Sequence, residues 1–180
     1  MTIRFYRREG AAIPDALGLP PGCELRSWRP REDGYPPRGP LFRENMAWFA
    51  FARLRLFASP AFEELSVWRS GRILHRLIVT PRWFRFPFMA AGDLQIGGLW
   101  TAPEARRIGL ATAAIVEAHR RHAAPARRFW FLVEETNAAS IGLAEACGYR
   151  LVGRGRRTRP LGVSVLGQYR LENGIALSGG

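Results

Sequence analysis

A strand–loop–helix segment in the second half of the chain constrains the fold more than any other part. Residues 93–101, DLQIGGLWT, form an apolar run bounded by turn residues, which predicts a β-strand. The short stretch APEARR follows, and the residues from about Gly109 to His122 have the apolar spacing of a helix. A strand, a short loop and a helix in this order are typical of a mixed α/β domain.

The start of this predicted helix has the chemistry of an anion site. The first N–H groups of a helix have no partner within it, and with the helix dipole they attract negative charge. Gly109 and Ala111 leave the backbone accessible, and Arg106 and Arg107 add positive charge beside it. Two linked phosphates would use this site more fully than one carboxylate, so we expect a pyrophosphate. An ordinary arginine-rich helix start is the alternative.

The other segments complete the predicted α/β (α+β) pattern, with a mixed sheet of about six to seven strands flanked by helices. Strands are predicted at 23–29, 127–135, 149–157 and 163–172, a hairpin at 63–79, and helices at 41–57 and 137–148. Asn137 is expected to cap the last helix and Gly148 to end it. The segment 81–92 is left unassigned, and the first ten residues receive no element.

Length and composition predict one domain in a reducing, cytoplasmic setting. The chain has 180 residues, and no apolar run approaches the ~18 residues of a membrane span. We expect no secretory signal at its start. Cys23 and Cys147 lie far apart without metal-binding spacing, so neither a disulfide framework nor a metal site is expected.

The positive charge of the chain has two explanations that the sequence leaves open. The net charge is +12, and all 27 basic residues are Arg. Guanidinium groups form paired hydrogen bonds with phosphate, which favours a polyanionic ligand such as a phosphorylated cofactor, a nucleotide-linked substrate or nucleic acid. A GC-rich coding bias would give the same composition. No nucleic-acid-binding motif is present, so an Arg-rich nucleic-acid-binding module is the less favoured, non-enzyme alternative.

Two motifs resemble those of a known enzyme family. Arg106-x-x-Gly109-x-Ala111, preceded by LWTAPEAR, resembles the acyl-CoA pyrophosphate loop of the GNAT acetyltransferase superfamily. NAASIGLAEACGY, about 30 residues later, resembles that family's second helix and the strand after it. The resemblance covers about residues 93–155. It implies a centrally splayed sheet and a single acyltransferase domain over residues 1–180.

Within that domain, the resemblance implies an acceptor-side half at 1–92, an acyl-CoA-binding core at 93–155, and a closing strand and tail at 156–180. Acetyl-CoA, or another acyl-CoA, would be the co-substrate, with its pantetheine arm between the strands at 93–101 and 127–135. The implied donor-binding residues are Leu99, Trp100, Thr101, Arg106, Arg107, Ile108, Gly109, Leu110, Ala111, Thr112 and Asn137. The glycine pair at 97–98 indicates a bulge or a close approach by ligand, with a packing kink as the alternative.

The implied reaction is transfer of the acyl group to an amine. A backbone N–H near Leu99 would polarise the thioester carbonyl, and Glu134 is the first candidate for the base. Gln95 stands where the family often has Glu, and it could hold a water molecule. The family's usual tyrosine acid would fall at Ala144, so that phenol is missing. Tyr169 on the last strand could approach the site, and the topology is the only support for this.

Three histidines are weaker candidates for chemistry. His75, on a predicted strand, is a second candidate base, although a lone strand histidine is more often packed in a core. His119 and His122 lie at the end of a predicted helix, where we expect them to favour its dipole.

The expected acceptor is a small-molecule amine, with no membrane or nucleic acid as partner. Residues 81–89, PRWFRFPFM, would form a wall suited to a ring carrying phosphate, such as a nucleotide-linked amino sugar. Amino acids and aminoglycosides are other candidates, and a strand with its aromatic face in the core is the alternative for this segment. The alternative enzyme is a protein lysine or N-terminal acetyltransferase. A homodimer is compatible with the sequence.

Overall fold

Alternating apolar residues and turn-forming glycines divide the described chain into eight strands and three helices. The structure is a computed structural model that describes residues 1–11, 15–38, 41–158 and 167–174. The strands are β1 (Thr2–Glu9), β2 (Glu24–Trp28), β3 (Glu63–Arg69), β4 (Arg72–Pro81), β5 (Leu94–Thr101), β6 (Arg128–Glu134), β7 (Arg150–Arg157) and β8 (Tyr169–Gly174). The helices are α1 (Phe42–Arg53), α2 (Leu110–His122) and α3 (Ala138–Ala146), with a 3-10 turn at Pro103–Ala105.

The strands form one sheet that opens at its centre. Its order is β2-β3-β4-β5-β6-β1-β7-β8, and only β5 and β6 are parallel neighbours. These two strands pair only from Leu94–Ile96 to Phe129–Phe131, whereas β5 continues to Thr101 and β6 to Glu134. The mixed sheet and its central splay are therefore confirmed.

Two apolar cores lie on opposite faces of this sheet. Side chains alternate between the faces along each strand, so Phe131 belongs to one core and its neighbour Trp130 to the other. Helix α2 contributes Ile115 to the first core, with residues of α3. Helix α1 and the segment 81–92 cover the second face, which includes Trp83. We call this second face the α1 face.

Strand β1 is the largest difference from the sequence prediction, which gave the first ten residues no element. It pairs with β6 on one side and β7 on the other, and so lies inside the sheet. Ile3 and Phe5 are buried, whereas the intervening arginine, Arg4, forms an ion pair with Glu135. The described sheet therefore has eight strands, one more than the upper expectation.

Three other boundaries differ from expectation. Helix α1 ends at Arg53 rather than near residue 57, and Arg55 after it has a φ of 56°. The segment after β4 consists of turns, in which the Phe86 N–H donates to the Trp83 carbonyl, so the strand alternative for it is wrong. The early part of the expected closing strand, 163–166, lies outside the described residues, as do residues 175–180 of the expected tail. None of the described helices is long and apolar enough to cross a membrane.

Candidate active site

Strand β5 is distorted where it separates from β6. The register of the β4–β5 pair shifts between Arg76 and Ile78, opposite the glycine pair. Gly98 has a φ of 59°, and a Cβ atom there would lie 3.0 Å from Ile78 Cδ1. The glycine pair therefore forms the expected bulge, and close packing against Ile78 also requires it.

The N-terminus of α2 presents an open backbone. Gly109 is its N-cap, with a φ of 85° and no side-chain cap, and its carbonyl accepts the N–H of Ala113 at 3.0 Å. The N–H groups of the first helical turn have no acceptor within the helix. A Cβ atom at Gly109 would meet no other atom within 4 Å, so this cradle is not filled by the protein. The side chain of Leu110 is buried, which leaves only its backbone for a ligand.

Two arginines border the cradle in different ways. The Nε of Arg106 donates to the Thr101 carbonyl at 3.4 Å, which ties the loop to the end of β5. Arg107 has a φ of 62°, and both side chains are exposed. Ile108 is also exposed at this rim. The loop therefore presents positive charge and backbone next to the opening between β5 and β6.

A cavity of about 260 Å³ lies on the α1 face where β5 and β6 separate. We call it the acceptor cavity. It is lined by Trp48, Ile78, Thr80, Trp83, Arg85, Phe86, Gln95, Gly97, Gly98, Leu132 and Tyr169. The segment 81–89 supplies three of these residues, although as turns. Trp48 had no sequence signal beyond its predicted helix, and Thr80 lies one residue after the predicted hairpin.

Tyr169 reaches this cavity from the far edge of the sheet. Its backbone N–H donates to the Arg85 carbonyl at 2.9 Å, and its ring lies 5.6 Å from the Phe86 ring centroid. The Arg157 guanidinium lies 5.6 Å from the tyrosine ring centroid. Strand β8 thus places Tyr169 in the lining of the cavity that also includes the glycine bulge.

Comparison with protein families identifies the family to which this chain belongs. The model of the acetyltransferase (GNAT) family matches residues 24–149. The chain belongs to the GNAT family. A search of curated proteins returns no match.

Solved GNAT structures share the fold at low sequence identity. A putative GNAT acetyltransferase from Novosphingobium aromaticivorans is 20% identical, with a TM-score of 0.55 over 85% of this chain and 60% of its own. A GCN5-related N-acetyltransferase from Sphaerobacter thermophilus is 19% identical, with a TM-score of 0.60 over 85% of this chain and 49% of its own. An aminoglycoside N-acetyltransferase in complex with CoA is 13% identical, with a TM-score of 0.50 over 71% of this chain and 91% of its own. This chain therefore spans about half of the length of the first two.

Within this GNAT fold, two of the three residues at the end of β5, Leu99 and Thr101, have side chains engaged elsewhere. Leu99 packs against the first core, and the Thr101 hydroxyl lies 2.8 Å from His75 Nδ1. Trp100 is 45% exposed and pairs with Arg76, which places it on the α1 face. Contact of Leu99 and Thr101 with a thioester donor would therefore use their backbone groups.

The two residues expected to handle the amine proton differ in exposure. Gln95 is buried beside the bulge, and its Nε2 donates to the Ile96 carbonyl at 2.7 Å. Glu134 is exposed at the end of β6, two residues beyond Leu132 and on the same face. It does not line the acceptor cavity, so any proton path between them would include water.

Helix α3 has the expected ends. The Asn137 Oδ1 accepts the Ser140 N–H at 3.0 Å, and Gly148 follows the helix with a φ of 79°. Both predictions are confirmed. Asn137 is also one of the expected donor-binding residues, and its Oδ1 atom is engaged in this cap. Ala144, where the GNAT tyrosine is expected, is fully buried in the first core, so a phenol would not fit there without repacking.

The histidines are structural in the described part of the chain. Burial lowers the pKa of His75 to about 4. Burial, followed by the Arg8 charge, lowers the pKa of His119 to about 3, so the expectation of a cation at the end of α2 is wrong for this residue. His122 Nε2 lies 2.6 Å from Glu63 Oε2. No group of three potential metal ligands occurs among the described residues.

Proposed function

We propose that this protein is an N-acetyltransferase that moves an acetyl group from acetyl-CoA to a primary amine of a small molecule. One juxtaposition supports this proposal. One strand–loop–helix unit contributes to both sites: the middle of β5 lines the acceptor cavity, and the open cradle at Gly109 begins α2, while β5 separates from β6 beyond Ile96.

The residues present fit an acyl-CoA donor. A pyrophosphate would accept hydrogen bonds from the N–H groups in the first turn of α2. Gly109 has no Cβ atom, so the ligand could approach the backbone there. Arg106 and Arg107 would add charge at the same rim. The unpaired edge of β5 offers backbone groups to the pantetheine arm. The bound donor would supply an acyl carbon activated as a thioester.

The acceptor cavity favours a small amine over a protein substrate. Its volume of about 260 Å³ is bounded by aromatic rings, which suits one small group better than an extended peptide. Arg85 and Gln95 provide the polar groups along this wall. Amino sugars, including nucleotide-linked ones, are our first candidates, ahead of amino acids and aminoglycosides.

The proposed step forms an N–C bond and breaks the C–S bond. The amine loses its proton to Glu134 through water, while a backbone N–H near Leu99 stabilises the developing oxyanion. Gln95 would orient the water at the bulge. The departing thiolate would take its proton from Tyr169 or from solvent, since a thiol has a pKa of about 8.5 and leaves readily.

The decisive experiment measures binding before catalysis. Acetyl-CoA titrated into the protein in a calorimeter should bind with saturable heat, and a panel of amino sugars, amino acids and peptides should then be screened for CoA release. An absence of acetyl-CoA binding by the folded protein would remove the proposed donor. CoA release with peptides alone would replace the small-molecule acceptor by a protein.

The same assay tests the two proton-transfer residues. We expect Tyr169→Phe to lower kcat about tenfold with unchanged affinity for acetyl-CoA, which is modest for general acid catalysis because the thiolate is a good leaving group. Tyr35→Phe, at an exposed position, is the matched control. Glu134→Gln should slow turnover most at low pH. An unchanged pH–rate profile would exclude Glu134, and an unchanged kcat would exclude Tyr169.

A further inference from the structure

A second cavity on the α1 face contains a buried carboxyl group that the proposed reaction does not use. The cavity has a volume of about 430 Å³, and its lining includes Trp28, Asn45, Glu64, Ser66 and Trp68. We call it the Glu64 cavity. The Glu64 side chain is 4% exposed, and among the described residues its Oε2 atom has no hydrogen-bond partner. A buried oxygen of this kind lacks a donor that its charged form requires.

The charged groups near this carboxyl group leave its Oε2 atom without a hydrogen bond. Burial raises the pKa of Glu64 and the charge of Arg76 opposes this rise, but the Nη1 atom of Arg76 is itself buried without a hydrogen-bond partner among the described residues. Arg76 of β4 forms an ion pair with Glu44 of α1 at 2.5 Å, and Arg26 of β2 forms one with Glu24. The amide of Asn45 donates a hydrogen bond to the Glu64 carboxyl group.

The remaining charged residue of the lining is Arg38, whose side chain is exposed in the loop before α1. The Glu64 Oε2 atom therefore still requires a donor, preferably a cationic one.

We propose that the Glu64 cavity binds an organic ammonium ion, with the Glu64 carboxylate as the partner of the ammonium group. Trp28 and Trp68 line the same cavity; the Arg26 guanidinium lies 4.5 Å from the Trp68 ring centroid, so Trp28 and the uncovered part of Trp68 would contact the apolar body of the ligand. Ser66 Oγ accepts the Trp68 indole N–H at 2.9 Å.

The position of this site relates it to the acceptor. Glu64 pairs with Ile78 on β4, and Ile78 pairs with Gly97 on β5, so the three lie in one row on the same face. Two strand spacings separate Glu64 from the bulge, a distance of about 10 Å between backbones. Resting on the proposed function, we infer that the acceptor, within the small amines proposed above, carries a second amino group, whose unreacting ammonium group lies at Glu64.

The binding test needs no acyl-CoA and so is independent of the proposed function. 1,5-Diaminopentane, n-butylamine and the neutral 1-pentanol are titrated into the full chain at pH 8, with calorimetric heat and tryptophan fluorescence as readouts. We expect both amines to bind and the alcohol not to bind. Binding should weaken about tenfold at pH 6, because burial raises the pKa of Glu64 to about 7 and the acid form loses its attraction for a cation.

Two variants give the result that overturns the proposal. Glu64→Gln keeps the shape of the side chain and should abolish amine binding, whereas Glu9→Gln, at an exposed side chain of β1 that pairs with Arg7, should retain it. Two results would overturn the proposed cation site. One is amine binding that survives in a folded Glu64→Gln protein, and the other is the absence of amine binding to the wild-type protein at pH 8.

The acetylation assay then tests the diamine. Glu64→Gln should raise the KM of diamines at least tenfold, with little change for monoamines or in kcat. Equal KM changes for both amine classes would exclude a second ammonium contact. Failure of acetyl-CoA binding would remove the proposed function but leave the result of the amine titration intact.

Discussion

Burial of the Glu64 carboxyl group makes the stability of the protein depend on pH. Burial raises its pKa from 4.5 to about 7, against the opposing effects of Asn45 and Arg76. The folded state therefore binds more protons than the unfolded state between these values, and stability falls as the pH rises from about 4.5 through 7.

We predict that Glu64→Gln removes the loss of stability that accompanies the rise in pH. At pH 8 the variant should be more stable than the wild-type protein by up to about 3 kcal/mol, because each pKa unit corresponds to about 1.4 kcal/mol. At pH 4.5 the two proteins should be nearly equal. Urea unfolding at both pH values measures this, with Glu9→Gln, at an exposed side chain of β1, as the control. A Glu64→Gln variant that loses as much stability as the wild type over this range would contradict the assignment.

Burial lowers the pKa of His119, whereas it raises the pKa of Glu64. Arg8 Nη1 contacts His119 Nδ1, and an arginine can only donate, so Nδ1 must be the unprotonated nitrogen. The Nε2–H then donates to the Tyr149 hydroxyl at 2.8 Å. Sequence position at a helix end indicated a cation, but burial and the charge of Arg8 from β1 lower the pKa of His119, so the ring is neutral.

At the scale of elements, the function depends on the N-terminus of α2. We predict that Gly109→Glu lowers the affinity for acetyl-CoA at least tenfold, since it places a carboxylate among N–H groups that would otherwise bind phosphate. A non-glycine residue at a φ of 85° also costs about 1 to 3 kcal/mol of stability, so the variant should melt a few degrees lower but fold. Calorimetric titration of acetyl-CoA measures the affinity.

Gly142→Glu is the matched control for this change. Gly142 is exposed in α3, and a Cβ atom there meets no other atom within 4 Å, so the variant adds the same charge outside the cradle. It should bind acetyl-CoA like the wild-type protein. Normal binding by the Gly109→Glu variant would show that this cradle does not hold the donor.

At the scale of the whole molecule, stability depends on a strand from the beginning of the chain. Phe5 of β1 is fully buried in the second core, where its ring lies 5.0 Å from that of Phe88. We predict that Phe5→Ala costs about 3 to 5 kcal/mol in free energy of unfolding, because it leaves a cavity between β6 and β7. Phe84→Ala, at a side chain 44% exposed, should cost less than about 1 kcal/mol. Similar losses in both variants would place β1 outside the cooperative core.

The sequence by itself determined the features that arise from neighbouring residues. Strand β5, the glycine bulge, the start of α2 and the Asn137 cap each follow from local backbone preference and periodicity, and here the tertiary contacts agree with them. The two motifs and their spacing were sufficient to indicate the GNAT family and its splayed sheet.

Only the tertiary structure decided the position of β1, the arrival of Tyr169 at the acceptor cavity, and the burial of Glu64 and His119. Arginines alternate with apolar residues in β1, and a short sequence of this kind does not show which strands will pair with it. Burial sets a pKa through all the groups that surround a side chain, and those groups come from strands and helices distant in the sequence. Chemistry that depends on such long-range contacts becomes visible only when the sheet is assembled.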